Sequence, residues 1–357
     1  MNKTSLREKI GQMLLIGFEG SQIEDYSWIV RQINEYGIGG VILFDYNFKT
    51  KTFEKNIVSP DQVKKLNSDL VRYNSLANKK NSRADIPLLI SVDYEGGKVN
   101  RLKESYGFPK TFSAQEVGLM PENNIKKISL DMAVTLSDVG FNLAFAPILD
   151  VNINKDNPIL GSLGRCFSSD PKVVAKIAQI YEKSFAEKNI RSSFKHFPGH
   201  GSSSGDSHLG FVDVTDSWQV EEIEPYQIIF KENITDKFMI MTAHIINRKL
   251  DDSGLPATLS YKVLTELLRS ELGFSGVIIS DDMQMKAIAD EYSLEESIIL
   301  SINAGVDMFI FGNQLSDEPV NIGKIIDIIE NNIEQGIIKE ARIADAYARI
   351  LRFKEGL

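Results

Sequence analysis

The chain alternates between strand-like and helix-like patterns, and that alternation limits the folds open to it. Eight apolar, β-rich runs recur, at Met13–Phe18, Gly40–Phe44, Pro87–Asp93, Asn142–Val151, Arg191–Phe197, Phe238–His244, Gly276–Asp281 and Gly305–Phe311. Most are continuously apolar, as parallel strands buried on both faces are. Helical patterns lie between them. Trp28, Ile29, Ile33 and Tyr36 share one face. Val63, Leu66, Leu70 and Tyr73 follow Ser59-Pro60, and Val173, Ile177, Ile180 and Tyr181 follow Asp170-Pro171. Proline suits a first helical turn because its missing N–H has no partner there anyway. Ile125, Ile128, Met132, Leu136 and Val139 form a further stripe. More amphipathic stretches occupy 260–272, 285–304, 319–335 and 339–353.

Eight strand–helix alternations predict an α/β chain, folded over residues 1–357 as a single closed (β/α)8 TIM-type barrel. A doubly wound open sheet is the alternative. Its phosphate-binding turn is missing, because Gly17-Phe18-Glu19-Gly20 lacks the G-x-G-x-x-G spacing. No Pro/Gly/Ser-rich linker and no internal repeat divides the chain. The polar segment Asp45–Val58 reads as a solvated loop, with a lid or rim insertion as the second option.

Composition removes several function classes. The chain is 43% hydrophobic and 25% charged, which excludes global disorder. Forty basic against forty-nine acidic side chains leave a net charge of −9, so nucleic acid is not the expected partner. Cys166 is the single cysteine, so core packing has to hold the fold without internal disulfides. No apolar run approaches the roughly 18 residues of a membrane span. The N-terminus reads as the start of an amphipathic helix, so a cytoplasmic monomer is expected; a secreted chain trimmed of its leader would read the same.

Barrels of this kind carry their active sites at the C-terminal ends of the strands. Here the third run ends in Asp93, the fourth reaches Asp150, the fifth holds Lys195-His196, the sixth ends in His244, and Asp281-Asp282 closes the seventh. Polar groups at the ends of apolar strands are costly to bury unless paired or used. Any one could be a strand-end cap; five on one rim point to a site.

Three of the four histidines, His196, His200 and His208, lie within thirteen residues. His196 and His200 are four apart, but Pro198 and Gly199 break the helix that a zinc motif of that spacing requires, and no metal is expected. Asp206 stands two residues before His208 on a Gly/Ser-rich loop. An Asp so placed can fix the imidazole tautomer and raise its basicity, giving a group able to act as acid and then base. Asp281 supplies a carboxylate at the barrel mouth. Strand alternation lets only one of Asp281 and Asp282 face the axis. A carboxylate facing a proton donor is what a retaining glycosidase needs. No Gly-x-Ser-x-Gly elbow supports a serine nucleophile.

These motifs resemble glycoside hydrolase family 3, in its single-domain β-N-acetylglucosaminidase branch. The resemblance rests on Lys195-His196-Phe197-Pro198-Gly199-His200-Gly201 followed by Asp206-Ser207-His208, on Ser280-Asp281-Asp282-Met283, and on the segment from Asp93 to Arg101. Phe145–Val151, Met241–His244 and Ala304–Met308 also match. The resemblance implies that Asp281 is the nucleophile and that His208, paired with Asp206, is the acid/base. It implies that Asp93, Arg101, Arg165, Lys195 and His196 bind the sugar, with His244 nearby, and that no cofactor is needed. Departures occur at Gly161–Phe167, which carries Cys166, and at Tyr94 and Lys98. They bear on substrate preference rather than on the reaction.

The expected activity is retaining hydrolysis of terminal β-linked N-acetylglucosamine from muropeptides or chito-oligosaccharides. A phosphorylase using the same site is the nearest rival, since a neutral His does not repel phosphate as a carboxylate would. A substrate-assisted mechanism on the Asp281-Asp282 pair and a non-catalytic sugar-binding barrel are the others.

Overall fold

The computed structural model describes residues 4–207, 210, 212–231, 237–316 and 318–357. Its centre is a closed barrel of parallel strands: β1 (Leu14–Gly17), β2 (Gly40–Leu43), β3 (Leu89–Val92), β4 (Leu143–Ala144), β5 (Arg191–Phe197), β6 (Phe238–Thr242), β7 (Val277–Asp282) and β8 (Met308–Phe311). Each pairs with its neighbours in chain order, and β8 closes on β1, with Leu14 beside Phe309 and Ile16 beside Phe311. This is the (β/α)8 barrel that the alternation predicts. Strands β1, β2, β3 and β8 are buried throughout, which is why they read as unbroken apolar runs. Closure brings backbones very close at the C-terminal end of β1. A Cβ on Gly17 would sit 1.9 Å from the Gly312 carbonyl oxygen.

The surrounding helices are α1 (Leu6–Gln12), α2 (Trp28–Tyr36), α3 (Pro60–Lys80), α4 (Glu122–Asp138), α5 (Pro171–Ala186), α6 (Glu224–Lys231), α7 (Lys262–Glu271), α8 (Leu294–Ala304), α9 (Ile322–Glu334) and α10 (Glu340–Lys354). The predicted start signals operate: Ser59 accepts the Gln62 N–H and Asp170 the Lys172 N–H, each ahead of a proline in the first turn. Helix α6 has no counterpart in the periodicity, because eight residues repeat an apolar stripe barely twice. The stretch 285–304 divides into Lys286–Ala289 and α8, where Ser293 caps a new start.

Two further differences bear on the site. Only Leu143–Ala144 of the expected fourth strand is laddered. Pro147 has no N–H to donate, and the chain beyond it follows β5 irregularly, with Ile148 bridging Lys195 and the Leu149 N–H bonding the Lys195 carbonyl. The Asp45–Val58 segment is not a solvated loop. Tyr46–Asn47 and Thr52–Phe53 pair as an antiparallel hairpin, and Asp45, Asn47, Lys55, Asn56 and Ile57 are buried. The Asn56 amide donates to the Phe18 and Gly20 carbonyls and accepts from the Phe44 N–H, so its polar side chain replaces missing backbone partners.

At the opposite end of the barrel, buried Asp307 takes ion pairs from Arg269 (2.5 Å), Arg342 (2.7 Å) and Arg349 (3.2 Å), tying α7 and α10 to the start of β8. Among the described residues, no helix is long and apolar enough to cross a membrane.

Candidate active site

A cavity of about 330 Å³ opens where the strands end. Its wall includes Asp93, Glu95, Arg101, Arg165, Lys195, His196, Asp206, Ser207, Asp281 and Asp282. The construction begins just past β3. Asp93 leaves the strand, and Tyr94–Gly96 folds back against Val99–Asn100 as a short hairpin that returns Arg101 to the cavity.

Lys195 on β5 is buried between two carboxylates, with Nζ 3.0 Å from Asp93 Oδ1 and 2.7 Å from Glu95 Oε1. Glu95 in turn accepts two parallel hydrogen bonds from Arg165, from Nε and Nη2, each 2.8 Å. A bidentate pair of this kind fixes orientation as well as charge. Arg165 also donates to the Ile159 carbonyl (2.8 Å), which anchors it to the turn before it. Arg101 lies 3.6 Å from Asp93 and 3.7 Å from Asp45.

Burial works against the charges on Asp93, Glu95, Arg165 and Lys195, and their partners outweigh it. For Glu95, burial raises the carboxyl pKa, but Arg165 and Lys195 bring it down to about 2. Asp93 is likewise held below the usual carboxylate range by Lys195 and Arg101 against its burial. Lys195, despite burial, stays above the usual ammonium value because Asp93 and Glu95 flank it. The cluster is therefore ionised through the physiological range, with hydrogen-bonding groups of both signs on the wall.

His196 is set by Asp150, which follows the irregular fourth strand. Its Nδ1 lies 2.6 Å from Asp150 Oδ2, and Asp150 Oδ1 accepts the His200 backbone N–H at 2.8 Å. Fixing Nδ1 leaves Nε2 as the free edge of that ring. His200 is buried, its Nε2 3.3 Å from Ser207 Oγ. Burial, reinforced by neighbouring His196, lowers its pKa to about 4, which keeps it neutral. The loop from β5 is pinned at its root by Glu222, whose Oε2 accepts the N–H groups of Gly201 (2.7 Å) and Ser202 (3.3 Å). Asp206 and Ser207 then reach the cavity. His208, the expected proton donor, lies outside the described residues.

The seventh strand departs from simple alternation. Ile279 pairs with Met308 but Asp282 with Ile310, so three steps along β7 match two along β8. This bulge brings both Asp281 and Asp282 to the cavity wall, where alternation alone allows one. Their settings differ. Asp282 Oδ1 accepts the N–H groups of Gln284 (3.0 Å) and Gly312 (3.2 Å), while Asp281 Oδ1 accepts the Asp282 N–H (2.8 Å).

Residues 5–353 match the sequence profile described as the glycosyl hydrolase family 3 N terminal domain. The chain belongs to glycosyl hydrolase family 3. Among curated family 3 relatives, beta-hexosaminidase A of Pseudoalteromonas piscicida is 31% identical over 350 residues, covering 91% of this chain and 54% of its own length. The beta-hexosaminidase of Tolumonas auensis is 33% identical over 280 residues, covering 77% of this chain and 76% of its own. The solved glycoside hydrolase family 3 beta-N-acetylglucosaminidase from Paenibacillus sp. str. FPU-7 superposes with a TM-score of 0.85 at 29% identity, covering 99% of this chain and 62% of that one. This chain thus spans from about half to about three quarters of the length of these relatives.

Within this family 3 barrel, the sequence-predicted residues Asp93, Arg101, Arg165, Lys195, His196, Asp206 and Asp281 share one cavity wall. His244 does not. It is buried, with Nδ1 2.8 Å from Thr258 Oγ1 and Nε2 3.0 Å from the Asp282 carbonyl oxygen. It lies beside the site, as expected, and holds the backbone of the bulge. Sequence reasoning missed Glu95, although its position two residues after Asp93 was a usable signal. It also left Asp150 without a role and gave no sign of Glu222. Among the described residues, no group of three His, Cys, Asp or Glu side chains is placed to hold a metal ion.

Proposed function

We propose that the chain is a retaining exo-β-N-acetylglucosaminidase, acting on terminal β-linked N-acetylglucosamine through a covalent intermediate on Asp281. The observation that carries the reading is a single cavity that joins the Asp281 carboxylate, the Asp206-Ser207 end of the loop leading to His208, and the ionised Asp93–Lys195–Glu95–Arg165 cluster. The names of the family relatives, beta-hexosaminidase and beta-N-acetylglucosaminidase, support the sugar assignment.

In the proposed reaction Asp93, Arg101, Lys195, Arg165 and His196 hold the hydroxyls and the acetamide of the terminal sugar. His208, with Asp206 as its partner, protonates the glycosidic oxygen while Asp281 attacks the anomeric carbon. The neutral imidazole then takes a proton from water, which releases the sugar with its configuration retained. Chito-oligosaccharides and muropeptides both offer the required terminus, and we place the enzyme in the cytoplasm.

Charge balance favours water over phosphate as the acceptor. Lys195 and Arg165 are each paired with Glu95, and Arg101 lies beside Asp93 and Asp45, while Asp206, Asp281 and Asp282 add carboxylates to the same cavity. A phosphate dianion would enter against that balance. The test is trapping. Incubation with a slow fluorinated N-acetylglucosaminide substrate should add one glycosyl mass to the peptide containing Asp281, located by fragmentation. A label on another carboxylate, or none during active turnover, would contradict the assignment.

A further inference from the structure

Glu95, Arg165 and Lys195 are buried charges on the cavity wall, but the same wall also carries exposed apolar side chains. Of the side chains lining it, two are largely exposed among the described residues: Phe48 at 53% and Leu315 at 40%. Phe48 follows the first arm of the Tyr46–Asn47/Thr52–Phe53 hairpin, and Leu315 lies on the chain leaving β8. Large apolar groups left in water beside a cavity are a mark of binding surface rather than of packing.

Both are held in place from beneath. The Tyr46 ring meets Phe48 edge-on, with centroids 5.1 Å apart and planes at 89°, and makes a second edge contact with Phe53 at 5.0 Å. The Gln314 amide donates to the Tyr46 carbonyl (2.7 Å) and accepts from Lys55 Nζ (2.9 Å). Lys55 and Gln314 are themselves buried. Lys55 also pairs with Glu19 (3.0 Å), which accepts from the Asn47 amide (2.8 Å). The hairpin and the β8 loop thus form one clamped assembly with an apolar top. A surface ordered in advance loses little conformational freedom when it binds.

The contrast between buried charged groups and exposed apolar ones suggests what binds there. The charged floor suits the hydroxyls and acetamide of a terminal sugar, so the next group of the substrate meets the mouth. A β-linked pyranose with equatorial substituents carries its ring C–H bonds on its two flat faces, and such a face can lie against an aromatic ring. We propose that Phe48 and Leu315 form the leaving-group subsite, which takes the second, uncharged pyranose of an N-acetylhexosamine oligosaccharide stacked on Phe48. This inference rests on the hydrolase reading above.

The experiment compares kcat/KM for N,N′-diacetylchitobiose and for methyl β-N-acetylglucosaminide, in wild type, Phe48→Ala, Phe48→Leu and Phe48→Trp. The first two variants should lose about tenfold on the disaccharide, the scale of uncovering roughly 50 Å² of apolar contact. They should stay within about twofold of wild type on the methyl glycoside, and Phe48→Trp should retain the disaccharide rate. Thermal melts identify any variant that fails to fold, and Phe48→Leu keeps an apolar side chain if Phe48→Ala does not fold. Equal losses on both substrates, or no loss on either, would overturn the subsite while leaving the hydrolase reading intact. A folded wild type that turns over neither substrate would remove both.

Discussion

Glu95 accepts from Arg165 through both oxygens and from Lys195 as well, so removing its charge leaves two buried cations short of a partner. Its pKa is about 2 in the fold against an ordinary 4.5. The unfolded chain therefore binds the proton first, and stability present above pH 4.5 is lost as the pH falls through about 2. That window corresponds to roughly 3 kcal/mol. Glu95→Gln should flatten this acid limb in urea unfolding followed from neutral pH downward. It should also lower stability at neutral pH, because breaking a buried pair leaves charge uncompensated. At this scale the sequence was most informative where a polar residue ends an apolar strand. Asp93, Lys195, His196 and Asp281 could be placed in the site for that reason. Glu95 escaped because the hairpin after β3, not the strand, turns it inward. A strand-end position fixed the depth of His244 in the barrel but not that its ring would reach the Asp282 carbonyl.

The elements set the site through two local irregularities. The β7 bulge brings Asp281 and Asp282 to one wall, and Gly312 on the chain after β8 makes room for it. A Cβ there would stand 2.5 Å from Asp282 Oδ2 and 3.3 Å from the Phe44 ring. Gly312→Ala should cost about 1–3 kcal/mol in denaturant unfolding, as overpacked sites do. It should also reduce kcat/KM, since Asp282 would have to leave the N–H groups of Gln284 and Gly312. Unchanged stability would mean that the bulge relaxes freely. Alternation and apolar runs were enough to locate the eight strands, and capping residues to start α3 and α5. A bulge leaves no trace in a hydrophobic pattern. Nor did Asn56 and Lys55 announce that Asp45–Val58 is anchored, because buried polar residues bonded to backbone look like surface residues in a sequence.

Across the whole molecule, the buried charged cluster of the cavity has a counterpart at the other end of the barrel. Lys354 near the end of α10 is buried and donates to Gln12 Oε1 and the Gly39 carbonyl, both at 2.7 Å. Burial lowers its pKa from 10.5 to about 7. Between those values the unfolded chain holds the proton more tightly, so stability from this group rises with pH across the window and is lost as the pH falls towards about 7. The difference in unfolding free energy between wild type and Lys354→Met should therefore shift in favour of wild type from neutral to alkaline pH. A constant difference would mean that Lys354 keeps its charge in the fold.

The proposed function turns on Asp281 as the nucleophile of a hydrolase selective for N-acetylglucosamine. The direct measurement is turnover of a chromogenic β-N-acetylglucosaminide beside the matching β-glucoside, with and without phosphate, by wild type and Asp281→Ala. The expected result is cleavage of the first substrate over the second, a rate indifferent to phosphate, free sugar as product, and loss of at least about a thousandfold in the variant. Sugar 1-phosphate as the product, or a variant that keeps its rate, would contradict it.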